Sequence, residues 1–172
     1  MSHEKAKQAL LRSLRKARRA ILCEAGTLPP AKQNVVFLGS WSARHLLAHL
    51  IGWDHTNAQA TAEIRRHKVP SFFRHYDRDW ATYNASLVRR HNRGSFENLL
   101  AAAANSSDEL LGFLERIPAC EFYRDTGPRS RGWKVTIGGL LAVEAKDEAV
   151  HASQLRRFRM GAAKRRKSGQ SC

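Results

Sequence analysis

The segment WSARHLLAHLIGWDHTNAQATAEI, residues 41–64, decides the fold. Ser42 can cap a helix, and beyond it Leu46, His49, Leu50, Trp53, Asn57, Ala60 and Ile64 recur at helical spacing on one inward face. Val69-Pro70 ends the run, because proline cannot continue a helix and holds its predecessor extended.

Working outward, Leu10, Leu14, Ala17 and Ile21 repeat at i, i+4, i+7 and i+11, which predicts a first helix ending near Gly26 with Lys and Arg on its other side. Pro29-Pro30 then forces a turn. Past the crossover SFFRHYDRD, the face Trp80, Tyr83, Asn84 and Leu87 predicts a helical piece to about Arg90. Gly94 interrupts, and Ser95 can cap a segment presenting Leu99, Leu100, Ala103, Leu110, Leu111 and Leu114, a third helix or a broken pair. After Pro118 and the loop DTGPRSRGWK, Thr136 can cap a last helix with the stripe Leu140, Glu144, Asp147, His151, Leu155 and Phe158. VVFLG and GWKVTIGG suit short extended pieces, but no alternation is sustained enough for a sheet. The expected class is all-α, an antiparallel four-helix bundle.

The chain has 172 residues, the size of one domain burying roughly 70% of its unfolded surface. We expect a single domain over residues 1–160 and a basic tail over 161–172. No apolar run approaches the ~20 residues of a membrane span, and the charged start lacks the apolar centre of a secretory signal, which predicts a cytoplasmic protein without a membrane partner. Cys23, Cys120 and Cys172 are widely spaced, with no zinc or disulfide pattern. The formal charge is +15, of which the two ends supply +12, so a near-neutral interior carries basic termini. Such ends can attract nucleic-acid phosphates or remain simply solvated.

The last stripe interrupts an apolar face with titratable groups, which are costly inside a protein unless paired or ligated. Asp147 and His151 are four apart and share a helix face, and His49 can meet them across the bundle. Two imidazoles and a carboxylate suit a divalent metal such as Zn or Ni and leave positions for water or substrate. A simple helix-surface hydrogen bond and a satisfied core histidine are the alternatives. His45 is either a surface residue or a competing ligand. Glu144 is a ligand, a partner orienting an imidazole, or a proton-transfer group. Without metal, Glu144, Asp147 and His151 can still form an acid-base cluster. Trp53, Trp80 and Tyr83 can line an apolar pocket or simply pack the core.

With WSARHLLAHLIGWDH, YNASLVRRHNRGSFENLLAAAANSSDELLGFLERIP and TIGGLLAVEAKDEAVHASQL in view, the chain resembles the DinB-like four-helix bundle superfamily and, within it, the ClbS/DfsB family, over roughly residues 5–160. The resemblance implies a bundle with a long crossover between helices 2 and 3. It implies a metal site at His49, Asp147 and His151, with Asp147 where the superfamily commonly has His. It also implies resistance to genotoxic small molecules, including hydrolytic opening of a strained electrophilic ring, and DNA binding. The leading expectation is therefore a detoxifying hydrolase or thiol transferase acting on an electrophilic small molecule between helices 2 and 4. Glu144 and His151 would be its catalytic residues. The alternatives are a DNA-binding, protective bundle that uses its basic ends, and a homodimeric interaction protein.

Overall fold

The computed structural model describes residues 2–76 and 78–167, with side chains described as far as residue 161. Four long helices dominate: α1 (His3–Gly26), α3 (Ala43–Arg65), α5 (Phe96–Glu115) and α7 (Ile137–Lys167). Between them lie the short helices α2 (Pro30–Gln33), α4 (Trp80–His91) and α6 (Ala119–Tyr123), and a 3-10 turn at Ser71–His75. Two small antiparallel hairpins pair β1 (Val36–Leu38) with β2 (Trp41–Ser42), and β3 (Arg129–Ser130) with β4 (Trp133–Lys134). β1 and β4 fall within VVFLG and GWKVTIGG, the segments expected to be extended, while the end of the second segment begins α7. No helix among the described residues is long and apolar enough to cross a membrane.

Local chemistry sets the boundaries. Pro30 opens α2 at a position where a missing N–H is harmless. Ser95 Oγ accepts the Asn98 N–H at the start of α5, and Thr136 Oγ1 accepts the Gly139 N–H at the start of α7. Gly94, at φ +74°, makes the left-handed turn that splits α4 from α5, so the third helical region is a broken pair.

Contacts along the chain fix the topology. Arg18 meets Glu148 and Glu24 meets Arg159, so α1 and α7 run in the same direction. Arg18 also meets Asp54, while Ala25 packs near Ala43 and Leu11 near Ile64, so α3 runs opposite to α1. Lys7 reaches the carbonyls at the end of α5, which therefore also opposes α1. The bundle is up-down-down-up, and the parallel neighbours α3 and α5 require a long crossover, which runs from residue 66 to 95, includes α4 and is longer than the segment SFFRHYDRD expected to make it.

One apolar cluster centres on Leu46, Leu50, Leu99 and Leu155 at one end of the bundle, and a second on Leu11, Leu114, Phe122 and Leu141 at the other. A third cluster joins Trp53 and Ala60 of α3 to Phe72 and Leu87 of the crossover. There α4 approaches so closely that a Cβ at Gly52 would stand 2.7 Å from Leu87 Cβ.

The structure differs from expectation at three places. The basic residues of α1 do not all face solvent: Lys7 and Arg18 are buried, the first capping the α5 carbonyls and the second paired with two carboxylates. The core-facing stripe of α7 is Ile137, Leu141, Glu148 and Leu155, so the stripe with Glu144, Asp147 and His151 faces a pocket instead. The tail expected over residues 161–172 continues α7 through Lys167, and residues 168–172 lie outside those described.

Candidate functional site

The pocket opens between α3, α7 and the crossover, with a volume of about 450 Å³. His49, Glu144, Asp147 and His151, all expected at a site, line it together. The helical register brings them there, since His49 lies on the inner face of α3 and the other three on one face of α7.

Aromatic rings form the opposite wall. The β1–β2 hairpin, held against α7 by Phe37 stacked on Phe158 (4.8 Å), lays Trp41 over His49 with ring centroids 4.5 Å apart. The crossover supplies Phe72, Tyr76 and Trp80, with Trp80 stacked 4.6 Å from Tyr76 and 5.3 Å from Trp53. The Trp53 indole N–H donates to Asn84 Oδ1 at 3.0 Å, and the hydroxyls of Tyr83 and Thr56 share a hydrogen bond of 3.1 Å. Trp53 and Tyr83 thus have their polar atoms paired within the protein, and the wall presents ring surface to the cavity.

The α3–α7 side is polar and electrostatically unusual. His49 is buried, its Nδ1 has no hydrogen-bond partner, and its pKa is lowered to about 3 by burial, then by His151 and Arg18. It is a neutral imidazole at every physiological pH. Glu144 is pushed up to about 8 by burial first and by the Glu148 charge one turn away, so it stays largely protonated at neutral pH. Asn57 and Arg18 pull it only partly back. His151 Nδ1 donates to Gln154 Oε1 at 2.9 Å, which orients the ring and leaves Nε2 outside that bond. Its ring meets His49 edge to face at 5.8 Å. Asp147 is exposed at the mouth, beside the exposed apolar side chains of Val143 and Val150.

Beneath this floor lies a buried ion network. Arg18 Nη1 and Nη2 donate to both oxygens of Asp54 at 2.7 and 2.9 Å, while Nη2 and Nε donate to Glu148 at 2.6 and 3.1 Å. The Ser106 hydroxyl adds a 2.6 Å bond to Asp54. Two carboxylates on one guanidinium leave a net negative charge, which keeps Arg18 ionised against burial and disfavours a further anion at Glu144.

A metal needs several donors aimed at one point. Unpaired His49 Nδ1 is a suitable donor, yet Asp147 stands out at the mouth, and no group of three His, Cys, Asp or Glu among the described residues is placed to hold a metal. The side chains as arranged do not fit one. His45 does not compete for the site: its Nδ1 accepts the Ser42 N–H at 3.1 Å, closing the cap of α3. His55 stacks on His91 elsewhere, with centroids 5.3 Å apart.

Sequence reasoning gave no role to Trp41, Phe72, Tyr76 or Arg18. A signal for Arg18 did exist, because it falls within the buried spacing Leu11, Leu14, Ile21 and Ala25, where a charge requires an internal partner.

No curated protein matches the chain. Among solved structures, the colibactin self-resistance protein ClbS in complex with a dsDNA aligns with a TM-score of 0.71 at 18% identity, over 88% of this chain and 93% of that one. An uncharacterised protein from Escherichia coli UTI89 aligns with a TM-score of 0.74 at 17% identity, over 91% of this chain and 94% of that one. At these identities the likeness is one of fold. The sequence profile of the DinB superfamily matches residues 13–155, most of the chain, and the protein accordingly belongs to the DinB superfamily.

Proposed function

We propose that the protein is a ClbS/DfsB-like enzyme that adds water, or a small thiol, to an apolar electrophile held against the aromatic wall. The observation supporting this reading is the pairing of a protonated carboxyl, Glu144, with the imidazole of His151, oriented by Gln154, on one face of α7 lining the same cavity. They are two helical turns apart, roughly 10 Å along the axis, enough to place a nucleophile and the bond it breaks between them. Water adds its oxygen to the electrophilic carbon while His151 Nε2 takes its proton. The electron pair of the broken bond leaves with the departing atom, which takes the proton of Glu144. The rings exclude bulk water and suit a flat, unsaturated molecule. The name of the neighbour ClbS, a self-resistance protein, accords with a protective role against a reactive compound.

Hydrolysis of aryl-substituted activated cyclopropanes and epoxides tests the proposal. His151→Ala should lose about 10²-fold or more in kcat, the usual contribution of a positioned base. The wild-type rate should fall as pH rises through about 8, because Glu144 then surrenders the proton it must donate. Equal rates for the variant and wild type would remove the mechanism. Loss of wild-type activity in EDTA would return His49, Asp147 and His151 to a metal-binding role.

A second reading, DNA binding, is favoured by one surface. Arg12, Arg15, Lys16 and Arg19 form an exposed basic row along α1, and the ClbS structure is a complex with double-stranded DNA. If this row contacts phosphates, log affinity should fall against log salt with a slope of about −3 to −4. Replacing all four with Ala should abolish most of that slope. Unchanged duplex affinity in a mobility-shift titration would exclude the row as the interface.

A further inference from the structure

We propose that the pocket takes an organic cation: the electrophile whose apolar body lies on the aromatic wall also carries an ammonium group, held at the mouth between Asp147 and the rings of Tyr76 and Trp80. This names the substrate class of the reaction proposed above and rests on that reading only in placing a substrate in the pocket.

The sign of the charge around the pocket is the reverse of the protein's own. The chain has 30 Lys and Arg against 15 Asp and Glu, yet among the described residues no Lys or Arg lines the cavity, while Glu144 and Asp147 both do. Arg18, below the floor, is shared by Asp54 and Glu148, so that network contributes a net negative charge. His49 stays neutral. Glu144 holds its proton at neutral pH, which leaves Asp147, exposed at the mouth, as the carboxyl group open to an incoming cation. The Tyr76 hydroxyl senses the local field: burial first, then Asp147 and Glu144, push its pKa up, against a smaller opposing influence from Arg131 of the β3–β4 hairpin.

Five rings complete the arrangement. Trp41, Trp53, Phe72, Tyr76 and Trp80 line the cavity, with Tyr76 and Trp80 stacked 4.6 Å apart. The faces of such rings carry the negative part of their quadrupole and attract an ammonium, most strongly where water is partly excluded. Rings alone take any flat apolar molecule, and an exposed carboxylate alone takes any cation. Side by side they select a molecule that joins an apolar body to a positive head. A carboxylate ligand would meet Asp147 and the negative network with no Lys or Arg among the described lining residues to receive it. A neutral ligand gains the rings and nothing from Asp147. The overall charge of +15 repels a cation at long range, but salt at 0.1 M screens it beyond about 10 Å, whereas the pocket groups act at contact.

Calorimetric titration of the full-length protein at pH 7 in metal-free buffer provides the test, with 2-phenylethylamine, 2-phenylethanol and phenylacetate as cationic, neutral and anionic probes of similar shape. The amine should bind about tenfold more tightly than the alcohol, and phenylacetate more weakly than either. Asp147→Asn, neutral and of the same shape at an exposed position, should remove most of the amine's advantage. Tyr76→Phe should keep that advantage and Tyr76→Leu should reduce it, because the ring is what the cation meets. An amine bound no more tightly than the alcohol, tighter binding of phenylacetate, or an advantage unchanged in Asp147→Asn or in Tyr76→Leu would overturn the proposal. Amine preference that depends on Asp147, beside full turnover by His151→Ala, would sink the proposed chemistry and leave cation selection standing. Turnover lost in His151→Ala with no amine preference in the wild type would do the reverse.

Discussion

Replacing Arg18 with methionine will destabilise the protein by about 3–5 kcal/mol at neutral pH, enough to unfold much of it. The guanidinium holds Asp54 through two bonds of 2.7 and 2.9 Å, Glu148 through bonds of 2.6 and 3.1 Å, and the Ala103 carbonyl at 3.0 Å. Methionine fills comparable space but strands two carboxylates that water cannot reach. The neighbouring Arg19 is exposed, and Arg19→Met should change stability by about 0.5 kcal/mol or less. Acid should partly rescue Arg18→Met, because Glu148, already pushed up by burial, is discharged by protonation. Urea unfolding of both variants at pH 5 and pH 8 checks this. An Arg18→Met deficit no larger at pH 8 than at pH 5 would show that the network does not confine charge as described.

Glu144→Gln should lose turnover while gaining stability in alkali. Its carboxyl is raised from 4.5 to about 8 in the folded protein, so between those values the unfolded chain has released a proton that the native state keeps. The stabilising effect of the held proton is complete below pH 4.5 and disappears as pH rises through 8. Relative to a neutral glutamine, wild type should therefore fall behind by roughly 3–5 kcal/mol by pH 9, and by little at pH 4. His49 acts in the opposite sense: lowered to about 3, it contributes stability above pH 6.5 that is lost as pH falls toward 3. Wild-type stability should peak between these two slopes, and the glutamine variant should remove the alkaline one. Thermal melts across pH 4–9 read the slopes, while kcat reads the missing proton. A variant with wild-type kcat would exclude Glu144 as the acid.

Residues 41–64 were legible because a single apolar face, a serine cap and a proline stop all agreed, and α3 begins and ends near the positions they imply. The convergence of His49 with His151 was legible for the same reason, since each lies in register on its own helix. The ion network was not. Arg18 stands 36 residues from Asp54 and 130 from Glu148, so no local spacing pairs them, and a count of basic residues in α1 groups Arg18 with solvated neighbours. Phe72 and Tyr76 escaped notice because they lie in a segment without helical periodicity, where position comes from packing on Trp53 and Trp80. Asp147 shares a face with His151, but one helix face spans both a buried edge and an open one, and spacing alone does not distinguish them.

The apolar cluster beneath the crossover has a consequence for how sequence change is tolerated. Phe72 and Leu87 pack with Trp53 in a cluster that meets the core of the four long helices through Phe73 and Leu140, which touch both. Substitutions among the rings of the crossover reshape the cavity wall, while the helices carrying Glu144, His151 and the Arg18 network are also held by the other two clusters. The rings of the cavity wall and the titratable side chains of α7 thus sit on different parts of the chain, and sequence change at one can leave the other in place.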